Sequence, residues 1–185
     1  MKQKLQKKQL LMFTAGILAM LAGLGILGFF GIRKIMRAIK REQLMRDNTA
    51  IVIEALHIKA PVLEGVDLDT LRVAAGHFPD TGAVGSGNYC IAGHSSVLYK
   101  EYFNNLKNVQ TGMEIRLYDD YKNGHYTAYT VTETFIVEPN ETWILDDFGD
   151  TRVTLVTCTD DGSQRRIVIG KVNPDEPAQT TETTE

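Results

Sequence analysis

A cysteine, a histidine and a pair of arginines stand where this sequence could bring them to one place. Cys158 closes the β-branched run RVTLVTC and is followed by the polar stretch TDDGSQ, so it falls where a strand gives way to a loop. A thiol there is held by the strand and still open to substrate, whereas an inert core thiol is followed by more apolar residues. His94 ends GNYCIAGHSS in the same way, at a glycine and small polar residues. Arg165 and Arg166 open the next β run, RRIVIGKV, so an antiparallel return after Cys158 sets one of them beside the thiol. A thiolate can attack a carbonyl, an imidazolium can protonate a leaving amine, and a guanidinium can stabilise charge on the tetrahedral oxygen. A lone cysteine is most often structural; the convergence of three such groups on one mouth is what gives a reacting site.

The remaining candidates read more plainly. His57, His77 and His125 are expected to be structural or surface residues. A zinc site built on His94 and Cys158 lacks the close-spaced Cys/His pairs of common zinc sites. Cys90 lies four residues before His94 and shares its strand face, which a small buried hydrophobe also explains. Cys90 and Cys158 could pair as a disulfide in an exported domain, but one reactive thiol and one buried thiol is the expected arrangement. Trp143, the only tryptophan, either shapes a substrate loop or caps the core.

The elements that must hold these groups are mainly strands. NYCIAG, MEIRLYDDY, HYTAYTVTETFIVE, RVTLVTC and RRIVIGKV are alternating or β-branched runs, and Asn123-Gly124 between Tyr-rich runs predicts a tight hairpin with both central residues at positive φ. Helical patterns are short, at 67–75 and 96–105. Strands so short and frequent bury one core best as a closed or nearly closed β-barrel. The fold class is therefore all-β, with the barrel beginning near Ile51 and ending near Val172. Beyond it, residues 173–185 carry two prolines, four acids and no large apolar residue, and are expected to be disordered.

The first third of the chain is of another kind. Residues 10–32 contain no charge, and a helix of that length spans about 30 Å of hydrocarbon. The run follows a basic tail, 1–9, and is longer than the core of a cleaved signal. It reads as one transmembrane helix, followed by a charged juxtamembrane stalk, 33–50. Six basic residues follow the span and four precede it, so the positive-inside count leaves the barrel in the cytoplasm. The basic flank could also meet anionic lipid. Residues 48–185 hold ten basic and twenty-one acidic residues. That balance gives no cationic footprint for nucleic acid.

TLVTC at 154–158, GNYCIAGHS at 87–95 and RRIVIGK at 165–171 resemble the signature strands of sortases, in order and at comparable separations. The resemblance runs from about Ile51 to Val172 and takes in GHFPDT-x₃-GSGN, with its His77. It implies an eight-stranded sortase-type barrel whose Cys158 cleaves an LPXTG-like sorting signal after its Thr, through a thioester that an amine resolves. The acceptor would be a cell-wall precursor or a pilin amine. His94 is then the acid/base and Arg166 the cation, since the family's arginine directly precedes a hydrophobic run, with Arg165 as the alternative. Thr157 would line the site. The segment 138–150, with Glu138 and Trp143, would receive the Leu-Pro end of the substrate.

An anchor followed directly by the barrel resembles the Gram-positive enzymes that carry the catalytic domain outside the membrane, opposite to the charge count. Without a long helical insert or a lid, the chain resembles class A or class D members. With only Asp80 in the loop before the histidine strand, no calcium requirement is expected, nor any other metal or cofactor. The alternative of another class is a membrane-tethered barrel that binds a peptide or wall component without chemistry; retention of Cys158, His94 and an arginine together favours the enzyme.

Overall fold

The computed structural model describes residues 2–95, 102–172 and 179–180, with side chains for 12–95 and 102–172. The chain divides into two units, 1–40 and 41–185. The described residues of the first lie within helix α1, Lys2–Asp47, which carries the uncharged run. Its apolar side chains are exposed along its length, Phe13, Leu18 and Leu27 among them. It is the one helix among the described residues long and apolar enough to cross a membrane. The helix runs on from the span through the stalk as far as Asp47, and the last two residues of the expected stalk, Thr49 and Ala50, already belong to the first strand.

In the second unit the last turns of α1 lead into β1 (Thr49–Ile53), β2 (Ile58–Glu64), the one-turn helix α2 (Leu68–Leu71), β3 (Ala75–His77) and β4 (Asn88–Ala92). There follow β5 (Glu114–Asp120), β6 (His125–Val137), β7 (Arg152–Cys158) and β8 (Arg165–Val172). The pairing order β5-β1-β2-β3-β4-β7-β8-β6, with β6 returning to β5, closes the sheet. This is the closed barrel that the short, frequent strands predict, with the eight strands that the resemblance implies, and closure removes the bare edges. The long β6 serves two neighbours: its first half pairs with β5, its second with β8, and a bulge lies between Val131 and Glu133 in the β8 pairing.

Alternation sorts the strand residues into two apolar groups. Tyr89, Ile91, Val153, Leu155, Val168, Tyr129 and Val131 fill the barrel. Val156, Ile167 and Ile169 face outward and are covered by Ile144 and Leu145, with Phe78, Phe135 and Val137 alongside. A third cluster seats the end of α1, where Met45 packs with Ala50, Val52, Tyr118 and Tyr126.

Three expectations need correction. The β5–β6 turn is not the two-residue type. It takes residues 121–124, with positive φ only at Gly124 (73°), because the Asp120 carboxylate accepts the Asn123 backbone N–H at 3.0 Å and holds Asn123 in an ordinary conformation. Helix α2 stops at Leu71, and of the helix expected at 96–105 the described part is a 3-10 turn, Asn104–Asn108, while 96–101 lie outside the described residues. Nor is the tail without structure throughout: Gln179–Thr180 form β9, paired with Tyr126 and His125, because backbone pairing on a strand side needs no apolar side chain. The rest of 173–185 lies outside the described residues.

Candidate active site

The site is set by one feature of the topology, the parallel pairing of β4 with β7. Asn88 pairs with Arg152, Cys90 with Thr154 and Ala92 with Val156, so the two strands run out at the same barrel edge. Two hydrogen bonds lock the ends beyond the last pair: Gly93 N–H donates to Val156 O at 3.0 Å, and Thr157 Oγ1 donates to Gly93 O at 2.7 Å. His94 and Cys158 are the next residue on each chain. Both are half-buried. Gly93 is a glycine for a reason of space: a Cβ there would meet the Phe103 ring at 2.4 Å, and that ring is fully buried. The Phe103 backbone N–H donates in turn to His94 O at 3.1 Å, fixing the histidine's own backbone.

Strand β8 returns antiparallel and pairs Arg165 with Cys158 and Arg166 with Thr157. Directly opposed residues share a sheet face. Continuing the alternation, Cys90, His94, Cys158 and Arg165 belong to the outer face, with Val156 and Ile167, and Thr157 and Arg166 belong to the barrel side, with Leu155 and Val168. The arginine that the resemblance selects and the arginine that the register sets across from the thiol are therefore different residues. Arg165 Nη1 donates to Gln164 O and Gly162 O, at 3.1 and 3.3 Å; no hydrogen bond or ion pair joins the Arg166 side chain to another described residue.

The other expected site residues divide. Thr157 is 4% exposed, and its hydroxyl is spent on Gly93, so it ties the strand ends together instead of offering a free group to a substrate. Glu138, at the start of the 138–150 segment, accepts from Gln164 Nε2 at 2.8 Å, linking that segment to the β7–β8 loop. Trp143 is 45% exposed. It opens a 3-10 turn, Trp143–Leu145, and stacks on Phe135 with ring centroids 5.8 Å apart, its edge to Phe148.

Residues outside the site are engaged elsewhere. Cys90 is fully buried and not disulfide-bonded; burial pushes its thiol up to about 11. His77 stacks on Tyr89, with Nδ1 2.7 Å from Glu64 Oε2 and Nε2 3.0 Å from Thr81 Oγ1, and so organises the β3–β4 connection. His125 pairs with Asp119, and His57 ends a 3-10 turn at positive φ. No cluster of three or more His, Cys, Asp or Glu fit to hold a metal ion occurs among the described residues.

Sequence reasoning passed over Asn88. It is 2% exposed and bonded at both ends of its amide, to Thr154 and to the 138–150 segment. A polar residue opening an otherwise apolar strand was the available signal.

Residues 51–173 match the family model of the sortase domain. A sortase A of Bacillus anthracis is 30% identical over 122 residues, which are 65% of this chain and 57% of that protein. A sortase A of Streptococcus agalactiae is 33% identical over 125 residues, 64% of this chain and 49% of that protein. The chain thus spans about half the length of the curated relatives it matches. Among solved structures, a Clostridium perfringens sortase D5 transpeptidase is similar with a TM-score of 0.61 at 33% identity, covering 68% of this chain and 78% of that one. A Listeria monocytogenes sortase A is similar with a TM-score of 0.65 at 26% identity, covering 73% and 90%.

Proposed function

The chain belongs to the sortase family, and from that premise we propose that it is a membrane-anchored cysteine transpeptidase acting on an LPXTG-like sorting signal. What supports this above all is the shared ending of β4 and β7, which sets His94 and Cys158 side by side at one barrel edge with an arginine pair opposite. The Cys158 thiolate attacks the carbonyl carbon of the substrate's Thr. The arginine stabilises the oxyanion, and His94 gives its proton to the departing glycine amine, leaving an acyl thioester. An incoming amine from a cell-wall precursor or a pilin then loses a proton to His94, attacks the thioester carbon and frees the thiolate.

For the cation we propose Arg165, on the ground of its register opposite Cys158. Arg166 is the second reading, favoured by a guanidinium that has no hydrogen-bond or ion-pair partner among the described residues and by the resemblance. The 138–150 segment covers the outer apolar face beside the thiol, which suits it to receive the Leu-Pro end, with Glu138 and Trp143 at its rim.

The test is to incubate the full chain in detergent with an LPXTG-like peptide and follow it by mass spectrometry. An acyl adduct on Cys158, discharged by added amine as a peptide-amine product, is expected; adducts absent or carried on Cys90 would remove the proposal. The helix near the N-terminus suits a single-pass anchor with the barrel outside the cell membrane, and protease added to intact protoplasts should digest the barrel. A barrel protected until lysis would reverse that topology.

A further inference from the structure

The segment 138–150 includes a single 3-10 turn, Trp143–Leu145, and a short turn of this kind leaves terminal carbonyls without partners of their own. Two carbonyls at its end converge on one buried side chain. Asn88 Nδ2 donates to Ile144 O at 3.0 Å and to Asp146 O at 2.9 Å, and its Oδ1 accepts from Thr154 Oγ1 at 2.7 Å. Two carbonyl acceptors on one side and a hydroxyl on the other fix which end of the amide is the NH₂. The Cys90 thiol adds a long contact to the same Ile144 carbonyl, 3.9 Å. Around this turn the segment's seat on the barrel is otherwise apolar, through Ile144 and Leu145; its other polar ties, Glu138 to Gln164 and Asp150 to Arg152 and Lys171, lie at its two ends. Apolar contact gives attachment without fixing register. A fully satisfied buried polar network fixes one conformation.

We propose that Asn88 is the positioning residue that preforms the peptide-receiving segment, so that a substrate meets Trp143 and its neighbours already in place. The inference rests on the transpeptidase reading of the site. It makes Asn88 a determinant of peptide affinity and not of the chemical step. Asn88 opens β4, whereas His94 follows its end, six residues and about 20 Å along an extended chain. A segment ordered before binding spares the peptide that ordering cost.

Trp143 is the only tryptophan of the chain, so its fluorescence reports on the segment directly. Three variants of the full chain in detergent divide the network. Asn88→Ala removes it. Asn88→Asp keeps the size and the acceptor for Thr154 but turns a carboxylate oxygen toward two carbonyls. Thr154→Val removes only the support behind the amide. Both Asn88 variants should make Trp143 more accessible to acrylamide by about twofold and raise the peptide KM about tenfold, with kcat held within about twofold. Thr154→Val should move both readings the same way by less. If Asn88→Ala fails to fold by circular dichroism, the other two decide. Unchanged Trp143 quenching in Asn88→Asp overturns the proposal, as does a fall in kcat with KM unchanged. A wild-type chain that turns over no peptide sinks the transpeptidase reading instead, and the quenching comparison still tells whether Asn88 holds the segment.

Discussion

Cys90 and Cys158 lie on neighbouring parallel strands and on the same sheet face, since Cys90 pairs with Thr154 and Cys158 follows four residues on. Four residues are about 13 Å of strand. In the middle of the sheet the thiol is fully buried, bonded to Asn88 O, and pushed by burial up to about 11. At the end it is half-buried, with a histidine beside it and an arginine opposite. Residue type and sheet face are the same, so neither separates an inert thiol from a usable one. Position along the strand does, because only at the end do polar groups from three strands meet solvent.

The sharpest way to break that contrast is to exchange the roles. Cys158→Ala should abolish cleavage of an LPXTG-like peptide, while Cys90→Ala keeps most of it, each followed by product mass spectrometry. A peptidyl electrophile at neutral pH should label Cys158 alone, since few Cys90 thiols ionise there. Equal loss in both folded variants would mean that position along the strand does not govern reactivity.

The arginines set the same contrast across the sheet instead of along it. If a shared face with Cys158 decides, Arg165→Ala should lower kcat about 10²-fold, the usual loss for a transition-state donor. Arg166→Ala should then do little. Lysine at 165 should restore only part, having the charge without the planar fork. The reverse result, with Arg166→Ala crippled, would assign the cation to the barrel side and show that the side chain turns past the strand end.

How these groups came to be legible differs from case to case. The strand runs, the barrel and the mouth positions of Cys158 and His94 could be read, because alternation and the Gly-polar endings are local properties of sequence. Choosing between Arg165 and Arg166 could not be done locally: the choice depends on pairing register, which the loop 159–164 sets and which flips every facing when it slips by one. The resemblance has Thr157 line the site, yet its hydroxyl donates to Gly93 O, just past the end of β4 and 64 residues away in sequence. Asn88 escaped notice for the same reason, since its partners lie 56 to 66 residues away in sequence.

Gly93 tests how far the mouth depends on close packing beneath it. A Cβ at 93 would lie 2.4 to 2.8 Å from three atoms of the Phe103 ring, so that ring or the strand end must shift. Gly93→Ala should cost about 1–3 kcal/mol, the usual range for overpacking, seen as a lower urea midpoint. Peptide cleavage should fall with it, since His94 is the next residue. A variant as stable as the wild type would show that the ring moves aside freely and that Gly93 does not hold the histidine in place.

The smallest effect is expected at the other end of β7, six residues before the thiol. Hydrogen bonds from Arg152 and Lys171 hold the Asp150 carboxyl down at about 2. The Arg152 guanidinium also lies 4.1 Å from the Phe148 ring centroid, so the pair braces the end of the 138–150 segment. A carboxyl depressed on folding contributes stability that is fully present above its unfolded value near 3.9 and is lost as pH falls toward the folded value. Asp150 is about a third exposed, so solvent screening limits the contribution to about 1 kcal/mol or less. Asp150→Asn should therefore lower the urea midpoint slightly at pH 6, and the gap from wild type should narrow between pH 4 and about 2. Cys158 labelling at neutral pH should stay unchanged, because the brace and the mouth lie at opposite ends of the strand. A gap constant with pH would trace the effect to lost packing and not to the ion pairs, and a fall in labelling would show that the two ends of β7 are coupled.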